Sequence, residues 1–164
     1  MNAIYMNNSD HGFTLIELMI VIAIIGILAA VGVPKFADLI RKSNEGATKG
    51  NLGAIKSAIT MYYGEMEGFY PNPGVSGDTA NPGSLGELLT MENGKYIKQM
   101  PNCSCQPYHQ NNAKVSVGLS GIDETSLPGS WSYKNLNDGT GRPWGDIWVN
   151  CAHTDCKGTD WSTY

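Results

Sequence analysis

No lysine or arginine precedes Lys35, and over all 164 residues 11 basic side chains stand against 15 acidic ones, a formal charge of −4. A chain of that sign lacks the basic stripe that a phosphate backbone requires, so nucleic acid is excluded as the main ligand. Proline is nearly missing from the first seventy residues, where Pro34 stands alone, which leaves room for a long helix. Signatures of catalysis are missing too. There is no H-E-x-x-H pair and no glycine-rich phosphate loop, and Gly118-Leu119-Ser120-Gly121 falls one residue short of a G-x-S-x-G elbow. The chain is read as a non-enzyme. Its length admits one compact domain plus an extended element, but not two ordinary domains.

What is present is concentrated at the start. From Phe13 to Val33 run 21 residues in which Glu17 is the sole charge. At about 1.5 Å per residue that is enough for a helix to cross a bilayer. A secretory signal with cleavage near Ala29 and Ala30 is disfavoured, because such signals need a basic stretch and a shorter apolar core. Glu17 needs its own explanation, since a carboxylate costs on the order of 2.5–3.5 kcal/mol at the centre of a membrane and is by default functional there.

The run Gly12-Phe13-Thr14-Leu15-Ile16-Glu17, continued by the apolar stretch to Pro34, resembles the prepilin cleavage and methylation motif of type IV pilins and type II secretion pseudopilins. The resemblance reaches from Gly12 to about Tyr70. It implies that a prepilin peptidase cuts after Gly12 and that the new terminus at Phe13 is N-methylated. It also implies that Glu17 pairs with the terminal amine of a neighbouring subunit. Physical chemistry favours such a role, because a buried charge is tolerated when an opposite charge arrives, and losing one partner of a buried pair costs roughly 3–5 kcal/mol. The leader departs from the family's in offering Asp10 and His11 where a basic residue is usual, and Met6 offers a second possible start.

The implied domains are a leader over 1–12, a transmembrane and assembly segment over 13–34, an amphipathic helical half over 35–70, and a globular head over 71–164. Leu52, Ile55, Ile59, Tyr62 and Met66 recur at helical spacing, which predicts one helix from Phe13 to about Glu67. That stripe packs on the head while Lys49, Lys56 and Glu65 face away. Gly26, Gly32 and Pro34 predict a bend or local melting, although the two glycines could instead serve close helix packing in the bilayer. Phe36, Tyr62, Tyr63, Phe69 and Tyr70 are read as core aromatics.

In the head, Gly68-Phe69-Tyr70-Pro71 ends the helix and NPGVSGDTANPG reads as a loop. A short helix is expected from Ser84 to about Met91, with Ser84 capping and Glu87 three residues on. Lys114–Leu119, Trp131–Leu136 and Asp146–Cys151 read as strands, the last two forming an antiparallel hairpin. The expected fold is α+β, a long N-terminal helix packed on a small antiparallel sheet.

Cys103, Cys105, Cys151 and Cys156 admit two disulfides, with links from the first pair to the second favoured, or a tetrahedral zinc site shared with His109 and His153. Asp155 and Asp160 are weak calcium candidates. Otherwise no metal or cofactor is expected.

Together these expectations describe a fibre subunit that forms a helical homo-oligomer. It would be held in the bacterial inner membrane as a single-pass precursor, served by inner-membrane assembly machinery and prepilin peptidase, and found as a periplasmic or cell-surface fibre afterwards. A type II secretion pseudopilin is one alternative. A secreted binding protein or enzyme, with a terminus near Val31 or Pro34, is another.

Overall fold

A computed structural model describes residues 12–74, 83–118, 121–123, 125 and 127–164. The expected leader up to His11, including the possible start at Met6, lies outside the described residues, as do most of the NPGVSGDTANPG loop and Leu119-Ser120 of the missing elbow. The chain divides into two compact units that part between Leu39 and Ile40.

One helix, α1 (Leu15–Glu65), carries both the apolar run and the amphipathic stretch. In the first unit every described residue from Gly12 to Leu39 is exposed. An 18-residue window of mean hydropathy 2.8 lies here with none of it buried, so the segment is long and apolar enough to cross a membrane. Pro34 sits inside the helix. The single chain therefore keeps helical structure across the Gly26–Pro34 stretch, where bending or melting is expected from the sequence.

The second unit begins on the same helix, whose character changes. Glu45, Thr48, Leu52, Ile55, Ala58 and Ile59 are buried, at the three- and four-residue steps of one face. Leu52, Ile55, Ala58 and Ile59 enter a core with Leu85, Leu89, Val115, Trp131, Tyr133, Ile147, Val149 and Trp161. Each buried aliphatic side chain contributes about 1.5–3 kcal/mol. The stripe thins out at its end, where Tyr62 is half-buried and Met66 is exposed. Glu67 and Gly68 then turn left-handed (φ 52° and 95°), and the Gly68 N–H bonds the Tyr63 carbonyl at 3.0 Å, closing the helix as a left-handed cap does.

The polar side of α1 does not face away as the sequence suggests. Lys49 meets Asp155 at 2.6 Å, Lys56 reaches Asp146 at 3.9 Å, and Glu65 meets Lys95 at 2.7 Å. Three of the five aromatics read as core are exposed instead, Phe36, Tyr63 and Phe69. The rings that do pack are Tyr62 on Tyr96, Tyr63 on Tyr70, and Tyr70 on Trp144.

Helix α2 (Leu85–Gly94) starts where expected: Ser84 accepts from the Glu87 N–H at 3.2 Å and the Glu87 carboxylate accepts from Gly83 N–H, a reciprocal cap. Its helical backbone breaks at Met91, Glu92 and Asn93. Three strands follow, β1 (Val115–Val117), β2 (Ser130–Tyr133) and β3 (Ile147–Asn150). The hairpin is present, β2 and β3 pairing antiparallel with Trp131 opposite Val149 and Tyr133 opposite Ile147. β1 runs parallel to β2, with Val115 beside Trp131, so the sheet is mixed and not wholly antiparallel. A parallel pair needs a crossover, and here residues 118–129 supply it. All positions of β2 and β3 are buried, so both faces of the hairpin are covered.

Candidate functional site

At the start of α1, Thr14 and Glu17 bind each other. The Glu17 N–H donates to Thr14 Oγ1 at 3.3 Å, while the Thr14 N–H and hydroxyl both donate to Glu17 Oε2 at 2.7 Å. The Leu18 N–H bonds the Thr14 carbonyl at 3.3 Å, making Thr14 the cap. This is a capping box, in which residue and backbone satisfy each other's orphan donors. The sequence carries its signature as T-x-x-E over Thr14 to Glu17. The carboxylate is therefore not left unsatisfied in the single chain.

Gly12 and Phe13 lie immediately before this cap, both exposed, Phe13 by 90%. A methyl group at Gly12, Gly26 or Gly32 would meet nothing within 4 Å. Packing within the chain thus gives none of these glycines a reason to be glycine.

In the second unit, α1 grips two distant segments through polar side chains. The Thr48 hydroxyl donates to the Ser104 carbonyl at 3.1 Å and accepts from the Ser104 N–H at 3.0 Å. Asn51 donates to the Asn102 carbonyl and Asn44 to the Gln106 side chain. One turn away, both Glu45 oxygens accept from the Cys156 N–H at 3.0 Å. Lys49 donates to Asp155 and to the Tyr164 hydroxyl, and lies over the Tyr164 ring.

Asp155, a calcium candidate by sequence, is buried, and its oxygens are taken by protein donors. Oδ2 accepts from Lys49 and Tyr164, and Oδ1 from the N–H groups of Lys157 and Thr159. Burial opposes its charge, but the Lys49 ammonium and these donors hold the carboxyl well below the usual carboxylate range. For Lys49 burial again opposes the charge, and Asp155 and Tyr164 outweigh it, holding the amine above the usual lysine range. Asp160 is exposed, and its carbonyl accepts from Thr163. Thr154 pairs with Asp160 in an isolated backbone bridge.

Of the four cysteines, Cys103, Cys105 and Cys151 are buried. The fold brings three of them together. Cys103 and Cys105 place their sulfurs 3.7 Å apart, and the Cys105 thiol bonds that of Cys151, which with burial pushes the Cys151 thiol up. Cys156 is exposed, and the nearby Glu45 carboxylate pushes its thiol up as well. The histidines weighed with the cysteines join the buried set: ligand atoms of His109, Cys151 and His153 all lie within 4.8 Å of one another.

The family described as "Prokaryotic N-terminal methylation motif" matches residues 7–33. The chain is 40% identical over 95 residues to the type IV major pilin protein PilE of Neisseria gonorrhoeae, covering 58% of this chain and 52% of that one. It is 40% identical over 98 residues to a fimbrial protein of Neisseria meningitidis serogroup B, covering 58% of each. A type IV major alpha-pilin of Moraxella bovis is 58% identical over 52 residues, 32% of this chain and 33% of that one. The chain thus spans about half the length of the curated relatives it matches, and no solved structure matches it. Over the stretch so matched, the chain is similar to type IV major pilins and fimbrial proteins.

Proposed function

We propose that this chain is a structural subunit of a type IV pilus-like fibre, held in the inner membrane by residues 13–34 before assembly. The observation that carries this is the first half of α1, an apolar helix on which the chain buries nothing of its own. Such a surface is unfavourable in water and needs either lipid or other copies of itself. Gly26 and Gly32, unoccupied on their Cβ side, suit the close approach of a neighbouring helix. The relatives are named as major pilins and fimbrial proteins, which favours a pilus over a secretion pseudopilus and a structural part over an enzyme.

In this reading the peptidase cuts after Gly12, whose missing side chain answers to that outside requirement. The freed and methylated Phe13 amine then sits next to the Thr14 cap. Glu17 has two competing partners, the Thr14 N–H within its own chain and the amine of a neighbour. The charged partner wins once water is excluded, because an ion pair strengthens as the dielectric falls.

The substitution Glu17→Gln separates the two roles, since glutamine completes a capping box but carries no charge. Precursor of Glu17→Gln should accumulate in the inner membrane, be cleaved and methylated at Phe13 by mass spectrometry, and yield few sheared fibres by electron microscopy. Wild-type fibre yield from that variant refutes the charge-pairing role. A mature terminus near Val31 or Pro34 in the wild-type protein refutes the subunit itself.

A further inference from the structure

The compact unit carries a cleft of about 420 Å³ that none of the roles above uses. One wall is α1, through Lys42, Glu45, Gly46 and Lys49, and the other is the turn at residues 155–157. The negative charges here are spent within the protein. Both Glu45 oxygens accept from the Cys156 N–H, and Oε1 faces Arg41 Nε at 3.4 Å. The Asp155 carboxylate takes four donors, Lys49 among them. Arg41, Lys42, Lys49 and Lys157 thus stand against Glu45 and Asp155, four cations to two carboxylates. The surplus is Lys42 and Lys157, both exposed, whose side chains make no ion pair among the described residues.

We infer that this cleft binds the phosphodiester headgroup of an anionic phospholipid, with Lys42 and Lys157 supplying the surplus charge and Lys49 a fixed one. The inference rests on the reading of the chain as a membrane-held precursor, and it adds a lipid to the partners of that precursor. Ammonium groups donate to phosphate oxygens in strong, charge-assisted hydrogen bonds. A concave site of this volume suits a small ligand group and not a flat protein surface.

Position along the chain favours a lipid over a free ion or the acidic surface of another protein. Leu39 and Ile40 are exposed apolar side chains, by 63% and 46%, and Arg41 and Lys42 follow them directly. Where apolar exposure gives way to basic side chains in consecutive residues, a chain is matched to the boundary between hydrocarbon and headgroups. The sense of insertion sharpens the point. Basic residues beside a span favour keeping that end in the cytoplasm. In the proposed reading, which carries the compact unit out of the cytoplasm, Arg41 and Lys42 therefore hinder insertion, and a headgroup partner gives them a use that offsets this.

Gly46 keeps the cleft open. A Cβ there would meet nothing within 4 Å, so packing within the chain has no need of glycine, and a longer side chain on this wall would take the space of a headgroup. Bound lipid would tether the turn at 155–157 to the membrane surface until the chain leaves the bilayer.

The test is native mass spectrometry of the full-length chain released from nanodiscs of phosphatidylglycerol and phosphatidylcholine in equal parts, scoring which lipid it retains. Phosphatidylglycerol should be preferred. Lys42→Gln and Lys157→Gln should each lower the preference about fivefold, the usual worth of one basic side chain at an anionic surface. Lys98→Gln, exposed but no part of the cleft, should leave it unchanged. Gly46→Leu adds bulk without removing charge and should lower the preference too; a preference undiminished there means diffuse attraction without a site and overturns the inference. Displacement of the lipid by millimolar inorganic phosphate, the mark of a free-anion site, also overturns it. So does a Lys42→Gln/Lys157→Gln double variant that keeps its lipid but loses sheared fibres, which assigns the cleft to a neighbouring subunit. Insertion is scored separately by carbonate washing of membranes. A wild-type chain that stays inserted yet shows no preference overturns this site alone, and one that washes off overturns the precursor reading with it.

Discussion

The two halves of α1 are one uninterrupted helix with opposite relations to the rest of the chain. From Leu15 to Leu39 nothing is buried, and from Ile40 to Glu65 six residues are. The first half holds six isoleucines and the second three, and the arrangement of the apolar residues differs as well. In the first half apolar residues occupy every side of the helix, which suits lipid or identical neighbours. In the second they keep to one stripe, with Thr48, Asn51 and Glu45 beside it, which suits a single fixed partner. The same secondary structure thus serves an intermolecular surface and an intramolecular core.

The same truncation made in both halves should have opposite outcomes. Ile55→Ala should destabilise the compact unit by about 2–5 kcal/mol, read as a lower denaturant midpoint. Ile24→Ala, fully open in the single chain, should leave that midpoint unchanged. A similar loss from both would mean that the exposed half packs on the compact unit after all.

A smaller effect is expected from Thr48→Val, which keeps the volume but strands the Ser104 N–H and carbonyl. A buried group left without its partner costs about 1–3 kcal/mol, so the midpoint should fall by an intermediate amount. Hydrogen exchange should rise at the Ser104 amide and not at those of β2.

The Lys49–Asp155 pair makes the compact unit sensitive to pH. The folded Asp155 carboxyl titrates below its unfolded value of about 3.9. Its contribution is therefore present above that value and lost as pH falls through the depressed range. Lys49 titrates above its unfolded value, so its contribution is present below about 10.4 and lost as pH rises past it. Stability of the compact unit should sag at both extremes. In Asp155→Asn the acid limb should flatten, and an unchanged acid limb refutes the assignment.

The smallest expected change is local. Thr14→Ala removes one side of the capping box, worth about 1 kcal/mol, and should speed amide exchange over Leu15–Leu18 without moving the midpoint.

How far this architecture could be read beforehand depended on range. The apolar run, the Leu52–Ile59 stripe, the Ser84 cap and the Trp131–Cys151 hairpin are set by periodicity or by contacts close in sequence, and the structure has them. The capping box is equally local, its T-x-x-E signature spanning Thr14 to Glu17. The parallel pairing of β1 was not legible, because nothing within Val115–Val117 says on which side, or in which sense, a strand 15 residues later will lie. The same holds for Lys49, which looks like a solvated lysine until the chain returns 106 residues later with a carboxylate. Of the cysteine and histidine set, spacing showed the chemistry but not the grouping. Cys156 falls to Glu45, and His109 reaches the others only through the turn in which its N–H bonds the Cys105 carbonyl.

The grip that α1 takes on residues 102–104 and on Cys156 is made almost wholly to main-chain atoms: the Asn102 carbonyl, both polar groups of Ser104 and the Cys156 N–H. A hold of that kind is blind to what the gripped residues are. Ser104 could become almost any residue that fits the space, and Asn102, which is exposed, could become nearly anything, without loosening the hold. The helix would thus let the exposed position Asn102 change in charge and shape while the path of this segment stayed fixed.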